Sequence, residues 1–162
     1  MSPALAFLIF ATPICLWAAY SDMRYMKIRN QAVAALLLVY AVVGFFVLPL
    51  EDYLWRYTHF VVVLVVGFVL SQVRAIGAGD AKFAASMAPF IALQNAVTFI
   101  YLFAALIIVS FVLHRVLRRL PMVKRMAPDW VSWTHNKFPM GLALGPSLII
   151  YLALAVRNGF VP

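Results

Sequence analysis

Long uninterrupted blocks of apolar residues constrain this chain more than any other feature of its sequence. They are not spaced at amphipathic intervals, and most have the length of a membrane-spanning helix. Of the 162 residues, 66% are hydrophobic and only 11% are charged, which excludes a soluble globular domain. The blocks fall at about 3–20, 31–50, 58–73, 83–93, 96–113 and 138–156.

The distribution of Lys and Arg predicts how these blocks are oriented. Eleven of the thirteen basic residues lie in three hydrophilic segments, with three in 21–30, two in 74–82 and six in 114–137. Basic residues favour the cytoplasmic side of a membrane, so these three segments are predicted to lie inside. The sequence therefore predicts an all-α, polytopic membrane protein with six transmembrane helices, both termini outside, and a single membrane domain over residues 1–162.

The uncharged run 83–113 leaves one part of this topology open. As one helix its 31 residues would measure about 46 Å, too long for one comfortable span and short for two. A single crossing would put the basic segment 114–137 outside, whereas two crossings keep all three basic segments inside. We therefore expect two crossings that turn near Gln94, the first of them short and either beginning within 77–82 or partly re-entrant.

The remaining composition argues against several classes of partner and cofactor. The net charge of +8 is explained by cytoplasmic anchoring and anionic lipid rather than by a nucleic acid. A single cysteine, Cys15, excludes an intrachain disulfide or a paired-cysteine zinc module. His59, His114 and His135 lie in different segments without metal-ligand spacing, so no metal or other cofactor is expected.

Two aspartates are the candidate catalytic residues. Asp22 follows the first apolar block and Asp80 precedes the fourth, and the predicted topology brings both to the cytoplasmic face. An ionisable residue beside the hydrocarbon is costly and is by default a functional hypothesis. Two nearby carboxylates share a proton, so one can take a proton from water while the other polarises a peptide carbonyl. The pair predicts an intramembrane aspartyl protease.

The neighbours of the aspartates have both functional and structural interpretations. Gly77 and Gly79 permit backbone angles and close approaches that would present Asp80 to a cavity, but the same residues fit a turn with an aspartate cap. Lys82 and Arg24 lie two residues beyond an aspartate, where they could tune the carboxylates. Interfacial snorkelling is the favoured explanation for these two basic residues.

Three sequence elements resemble the type IV prepilin peptidase family. Residues 22–30 (DMRYMKIRN) are similar to its first aspartate element, and 77–82 (GAGDAK) matches its GxGD-x-K element. Residues 138–145 (FPMGLALG) look like the Pro-x-Gly-x-Ala-x-x-Gly start of its last helix. Arg29 departs from the pattern, since proline is usual at that position.

The resemblance implies that Asp22 and Asp80 are the catalytic pair of a metal-independent endopeptidase. Its substrates would be prepilins and pseudopilins, cut on the cytoplasmic side of a bacterial or archaeal cell membrane, after a glycine at the end of a short basic leader. Because paired CxxC motifs are absent, the chain looks like the short, peptidase-only form of tight-adherence (Flp) pilus systems, and methyltransferase activity is not expected. The pilus assembly machinery is a further candidate partner.

Two interpretations stay open from the sequence. A small ion- or proton-coupled transporter or channel subunit would use Asp80 at a broken helix, although no inverted repeat is visible. The small-xxx-small pattern Gly141…Gly145 favours helix packing, either within the chain or in a homodimer.

Overall fold

The computed structural model describes residues 2–162, and these form eight α-helices without any strand. The predicted all-α class is therefore confirmed. Three short 3-10 turns, Ala88–Phe90, Leu93–Asn95 and Val131–Trp133, connect parts of the chain. The helices are α1 (Pro3–Tyr25), α2 (Asn30–Val47), α3 (Leu50–Trp55), α4 (Tyr57–Gln72), α5 (Ala78–Met87), α6 (Ala96–Leu117), α7 (Pro121–Met126) and α8 (Gly141–Asn158).

Five helical segments are long and apolar enough to cross a membrane. Many of their large apolar side chains are exposed on the outside of the bundle, where lipid would cover them. The chain is thus a multi-pass membrane protein. The segments are Pro3–Tyr25, Asn30–Val47, Leu50–Gln72, Leu93–Leu117 and Gly141–Asn158.

The sixth predicted span, 83–93, belongs to a shorter helix than the others. Helix α5 begins at Ala78, within the predicted start region, and its 10 residues measure about 15 Å, half of the hydrocarbon thickness. It passes into a 3-10 turn at Pro89, which has no backbone N–H to continue the α-helical hydrogen bonds. Because α5 is so short, the prediction of six crossings with both termini outside stays a prediction.

Residues 78–95 nevertheless run from one end of the helical bundle to the other. One nitrogen of His59, near the start of α4, lies 3.1 Å from the carbonyl oxygen of Ile91. The side-chain amide of Asn95 donates to the carbonyl oxygen of Val161, beyond the end of α8. The Ser110 hydroxyl of α6 donates to the carbonyl of Leu142, near the start of α8. The turn between α5 and α6 therefore lies at the end of the bundle opposite to the start of α8.

Helix α1 lies at the centre of the bundle and packs most closely on α8. A Cβ atom at Gly145 would come within 2.5 Å of the Cys15 carbonyl oxygen, so the backbones of the two helices touch there. Gly141, one turn earlier, also faces α1. The small-xxx-small pattern is therefore used for packing within the chain.

Candidate active site

Asp22 lies in the last turn of α1 and is buried, with 4% of its surface exposed. The neighbouring Ser21 hydroxyl lies 3.1 Å from the carbonyl oxygens of both Ala18 and Lys27, which ties the end of α1 to the connection that follows. The helix ends at Met26, whose φ of 51° is in the left-handed region. The local sequence thus turns the chain immediately beyond Asp22.

Asp80 occupies the first turn of α5 and is half-buried. The helix begins at Ala78 with Gly77 in extended conformation as its N-cap, so Asp80 is the third helical residue and not the cap. A Cβ atom at Gly77 would stand 2.6 Å from Oδ2 of Asp80, so a side chain at residue 77 would displace the carboxylate from this position. At Gly79 the nearest atom, the Ile28 carbonyl oxygen, would be 3.5 Å away, an ordinary contact.

The two aspartates line one cavity of about 340 Å³ at the α8-start end of the bundle. They are close enough for their charges to interact. Oδ2 of Asp22 accepts a hydrogen bond of 2.7 Å from the backbone N–H of Gly141, the first residue of α8. Besides the carboxylates, the cavity is lined by Met26, Lys27, Ile28, Gly77, Ala78, Gly79, His135, Lys137, Phe138 and Met140.

The electrostatics of Asp80 combine opposing effects. Burial raises the pKa of its carboxyl group above the ordinary aspartate value, because desolvation disfavours the charged form. The backbone amide of Gly77 and the ammonium group of Lys137 act in the opposite direction. Since burial outweighs both, Asp80 holds its proton more readily than a free aspartate.

The four residues predicted to support the aspartates are placed differently from one another. Gly77 and Gly79 line the cavity, whereas Arg24 and Lys82 do not. The Arg24 guanidinium donates to the Tyr20 hydroxyl at 2.6 Å, and Lys82 is exposed.

Lys137 and Gly141 act on the aspartates, although the sequence interpretation gave Lys137 no role at the site and favoured helix packing for Gly141. Lys137 acts electrostatically on Asp80, and Gly141 donates to Asp22. Their position at the third family-like element was the available signal. Lys137 immediately precedes that element and Gly141 lies within it.

No metal cluster competes with this site in the described part of the chain. Within residues 2–162 no group of three or more His, Cys, Asp or Glu side chains is arranged to hold a metal ion. A separate cavity of about 490 Å³ between α4, α5 and α6 is almost entirely apolar and is lined by no carboxylate. A second cavity with carboxylates, of about 630 Å³, is lined by Glu51 and Asp52, but both residues are exposed and adjacent in the first turn of α3. Acid–base chemistry therefore points to the cavity that contains Asp22 and Asp80.

Comparison with known proteins adds one finding. A family model described as the type IV leader peptidase family matches residues 9–113, which include both aspartates and end before α8. No curated protein and no solved structure matches the chain.

Proposed function

Because this chain belongs to the type IV leader peptidase family, we propose that it is an aspartic endopeptidase that removes the short basic leader of type IV or Flp prepilins. The reaction takes place at the cytoplasmic edge of a bacterial or archaeal cell membrane. Asp22 and Asp80 form the catalytic pair.

One observation supports this proposal above the others. Asp22 and Asp80 belong to two helices far apart in the chain, yet both carboxylates line one cavity and their charges interact. A pair of carboxylates that shares a proton is the minimum equipment for hydrolysing a peptide without a covalent intermediate. A purely structural cap at the start of α5 would not require a second carboxylate opposite to it.

The reaction balances with these two groups and one water molecule. The ionised carboxylate takes a proton from water while the water oxygen bonds to the peptide carbonyl carbon. The protonated carboxyl gives its proton to the carbonyl oxygen, so the intermediate is a neutral diol. When the C–N bond breaks, the amine leaves with the first proton and the second carboxylate recovers its own. Both groups return to their starting states.

The surroundings of the cavity suit a substrate that approaches from the membrane surface. Lys27, His135 and Lys137 give its mouth a polar, basic border, while Phe138 and Met140 are apolar. The border belongs to the segments that the positive-inside rule assigns to the cytoplasm. A cut at this depth would separate a soluble leader from a segment that stays in the membrane.

The test is cleavage of a small Flp-type prepilin co-expressed with the wild-type chain, Asp22→Asn or Asp80→Asn. Each variant removes one partner of the acid–base pair, so we expect cleavage to fall by about 100-fold or more. Mass spectrometry of the pilin measures the product, and quantification of the enzyme in membranes corrects for expression.

Asp129→Asn is the matched control, because Asp129 is an exposed aspartate that does not line the cavity. We expect this control to cleave like wild type. Near wild-type cleavage by either site variant would show that its aspartate is not catalytic. A wild-type chain inert towards several prepilins would contradict the proposed substrate and favour the transporter interpretation.

A further inference from the structure

The two carboxylates of the site have different surroundings. Asp22 is enclosed, with 4% exposure, and its carboxylate accepts a hydrogen bond from the neutral backbone N–H of Gly141. Asp80 is half-buried, and the positive charge of Lys137 lowers the pKa of its carboxyl group. The positive charge of Lys137 therefore acts on Asp80, and this asymmetry bears on which carboxylate holds the shared proton.

Lys137 reaches the cavity from a segment that side-chain packing holds in place. The His114 ring of α6 stacks on Trp133 at a centroid distance of 5.6 Å and meets Phe138 edge-on at 5.9 Å. The Trp133 indole N–H donates to the Ala127 carbonyl at 2.8 Å. The Lys137 N–H donates to Nδ1 of His135 at 3.0 Å. The backbone that carries Lys137 is thus fixed on both sides.

The other charged and titratable groups at the cavity are few. Lys27 comes from the connection after α1, His135 from the segment before α8, and Asp22 from α1. Among the charged groups at the cavity, Lys137 is the one whose charge lowers the pKa of Asp80. Lys82, on α5 itself, lies outside the cavity lining.

On these grounds we propose that Lys137 is a positioning residue that favours the ionised form of Asp80 over that of Asp22, so that Asp80 is the base and Asp22 the acid. This inference rests on the proposed function. Burying an ionised carboxylate without a nearby cation is costly, and the cost is smaller for a half-buried carboxylate that shares its cavity with an ammonium group. The shared proton therefore belongs to Asp22 in the resting enzyme.

The first test is the pH dependence of kcat for prepilin cleavage by wild type, Lys137→Met and Lys137→Arg. The base must be ionised, so the rate rises with pH along the acidic limb of the profile. Lys137 lowers the pKa of Asp80, so replacing the lysine with methionine lets that pKa rise. The limb should move to higher pH, and kcat on the acidic side should fall by roughly 10-fold. Lys137→Arg keeps the charge and should restore most of the wild-type profile.

Lys124→Met is the matched control, because Lys124 lies in the same basic segment but does not line the cavity. An acidic limb that coincides with wild type in Lys137→Met, or that moves equally in Lys124→Met, would overturn the proposal. A rise in KM without any movement of the limb would also overturn it, since it would assign Lys137 to substrate binding.

A second readout is independent of cleavage. In the Asp22→Asn background, infrared difference spectroscopy follows the carboxylic acid band of Asp80 against pH, and subtraction of the Asp22→Asn/Asp80→Asn variant identifies that band. Adding Lys137→Met should move the ionisation midpoint to higher pH. An unmoved midpoint, together with prepilin cleavage by the wild-type chain, contradicts only the role of Lys137. A moved midpoint, together with a wild-type chain that cleaves no prepilin, supports the Lys137–Asp80 interaction and contradicts the proposed function.

Discussion

At the residue scale, a backbone N–H connects the last helix to the proposed active site. Gly141 donates to Asp22 at 2.7 Å across 119 residues of sequence. A Cβ atom at Gly141 would lie 2.8 Å from Cβ of Asp22 and 3.2 Å from the Ala18 carbonyl oxygen. Glycine is therefore the residue that allows α8 to approach α1 closely enough for this hydrogen bond.

Gly141→Ala is expected to impair catalysis more than folding. The added Cβ forces α8 away from α1 by a few tenths of an ångström and lengthens the hydrogen bond to Asp22. We expect kcat to fall by about 10- to 100-fold, because small displacements of a catalytic group are costly. The overpacking should cost about 1–3 kcal/mol of stability. Rate measurements on purified enzyme, together with thermal unfolding in detergent, separate the two effects.

Gly159→Ala serves as the comparison for that substitution. Gly159 has a φ of 71° and no atom within 4 Å of an added Cβ, so alanine there causes backbone strain without touching the site. We expect a stability cost of about 1 kcal/mol and unchanged kcat. If Gly141→Ala lost stability but kept its kcat, the hydrogen bond to Asp22 would have no catalytic role.

The two basic residues nearest to the aspartates in sequence illustrate a general limit at this scale. Arg24 and Lys82 each follow an aspartate by two residues, but side chains two positions apart on a helix do not share a face. Arg24 accordingly packs on Tyr20 and Tyr25. The cation whose charge acts on Asp80 is instead Lys137, more than fifty residues further along the chain.

At the element scale, the contact between α4 and α5 decides where Asp80 is held. A Cβ atom at Gly67 would lie 2.9 Å from Cβ of Ala81, so α5 packs directly on the backbone of α4. Ala81 immediately follows Asp80, and α5 has only 10 residues with which to resist displacement. The position of the carboxylate therefore depends on the absence of a side chain at residue 67.

Gly67→Ala should lower the cleavage rate, and Ala81→Gly should partly restore it. The alanine pushes α5 away from α4 and moves Asp80 relative to Asp22, whereas removing the Ala81 Cβ returns the space. Because the two positions touch, we expect a coupling energy of about 1 kcal/mol or more in a double-mutant cycle of cleavage rates. Ala81→Gly alone should cost about 1 kcal/mol of helix stability.

Val65→Ala, on the exposed face of α4, is the control for this cycle and should leave the rate unchanged. Strictly additive effects of Gly67→Ala and Ala81→Gly would mean that the close contact does not position Asp80.

At the scale of the whole molecule, the number of membrane crossings is the main open feature. Residues 78–95 run from one end of the bundle to the other, yet helix α5 by itself is shorter than a full membrane span. The six-crossing topology places Gln94 outside and Arg119 inside. If the α5 region did not cross the membrane, Gln94 would lie inside and Arg119 outside.

Thiol labelling distinguishes the two topologies, because the chain has one cysteine and Cys15 is fully buried. Two variants would each carry one added cysteine, at the exposed position Gln94 or Arg119, and would be treated with a small membrane-impermeant thiol reagent. We expect Gln94→Cys to react in intact spheroplasts and Arg119→Cys only after permeabilisation. The reverse pattern would contradict six crossings, and wild type is the control for reaction at Cys15.

The sequence by itself determined the class of the molecule and predicted the chemistry of its site. Block lengths and composition indicated an all-α membrane protein, and charge counts predicted one face for Asp22 and Asp80. These signals are readable because burial in lipid and basic-residue placement are nearly additive along the chain. Motif spacing identified the family that the comparison found for residues 9–113.

Only the tertiary structure decided how the two carboxylates differ. The Gly141 N–H on Asp22, the Lys137 charge near Asp80 and the close packing at Gly67 all join segments distant in sequence. Hydrogen bonds and charge pairs of this kind depend on ångström-scale approach between helices, which no local pattern encodes. The length of α5 was likewise decided by packing and by Pro89. The uncharged run 83–113 did not by itself show where this helix ends.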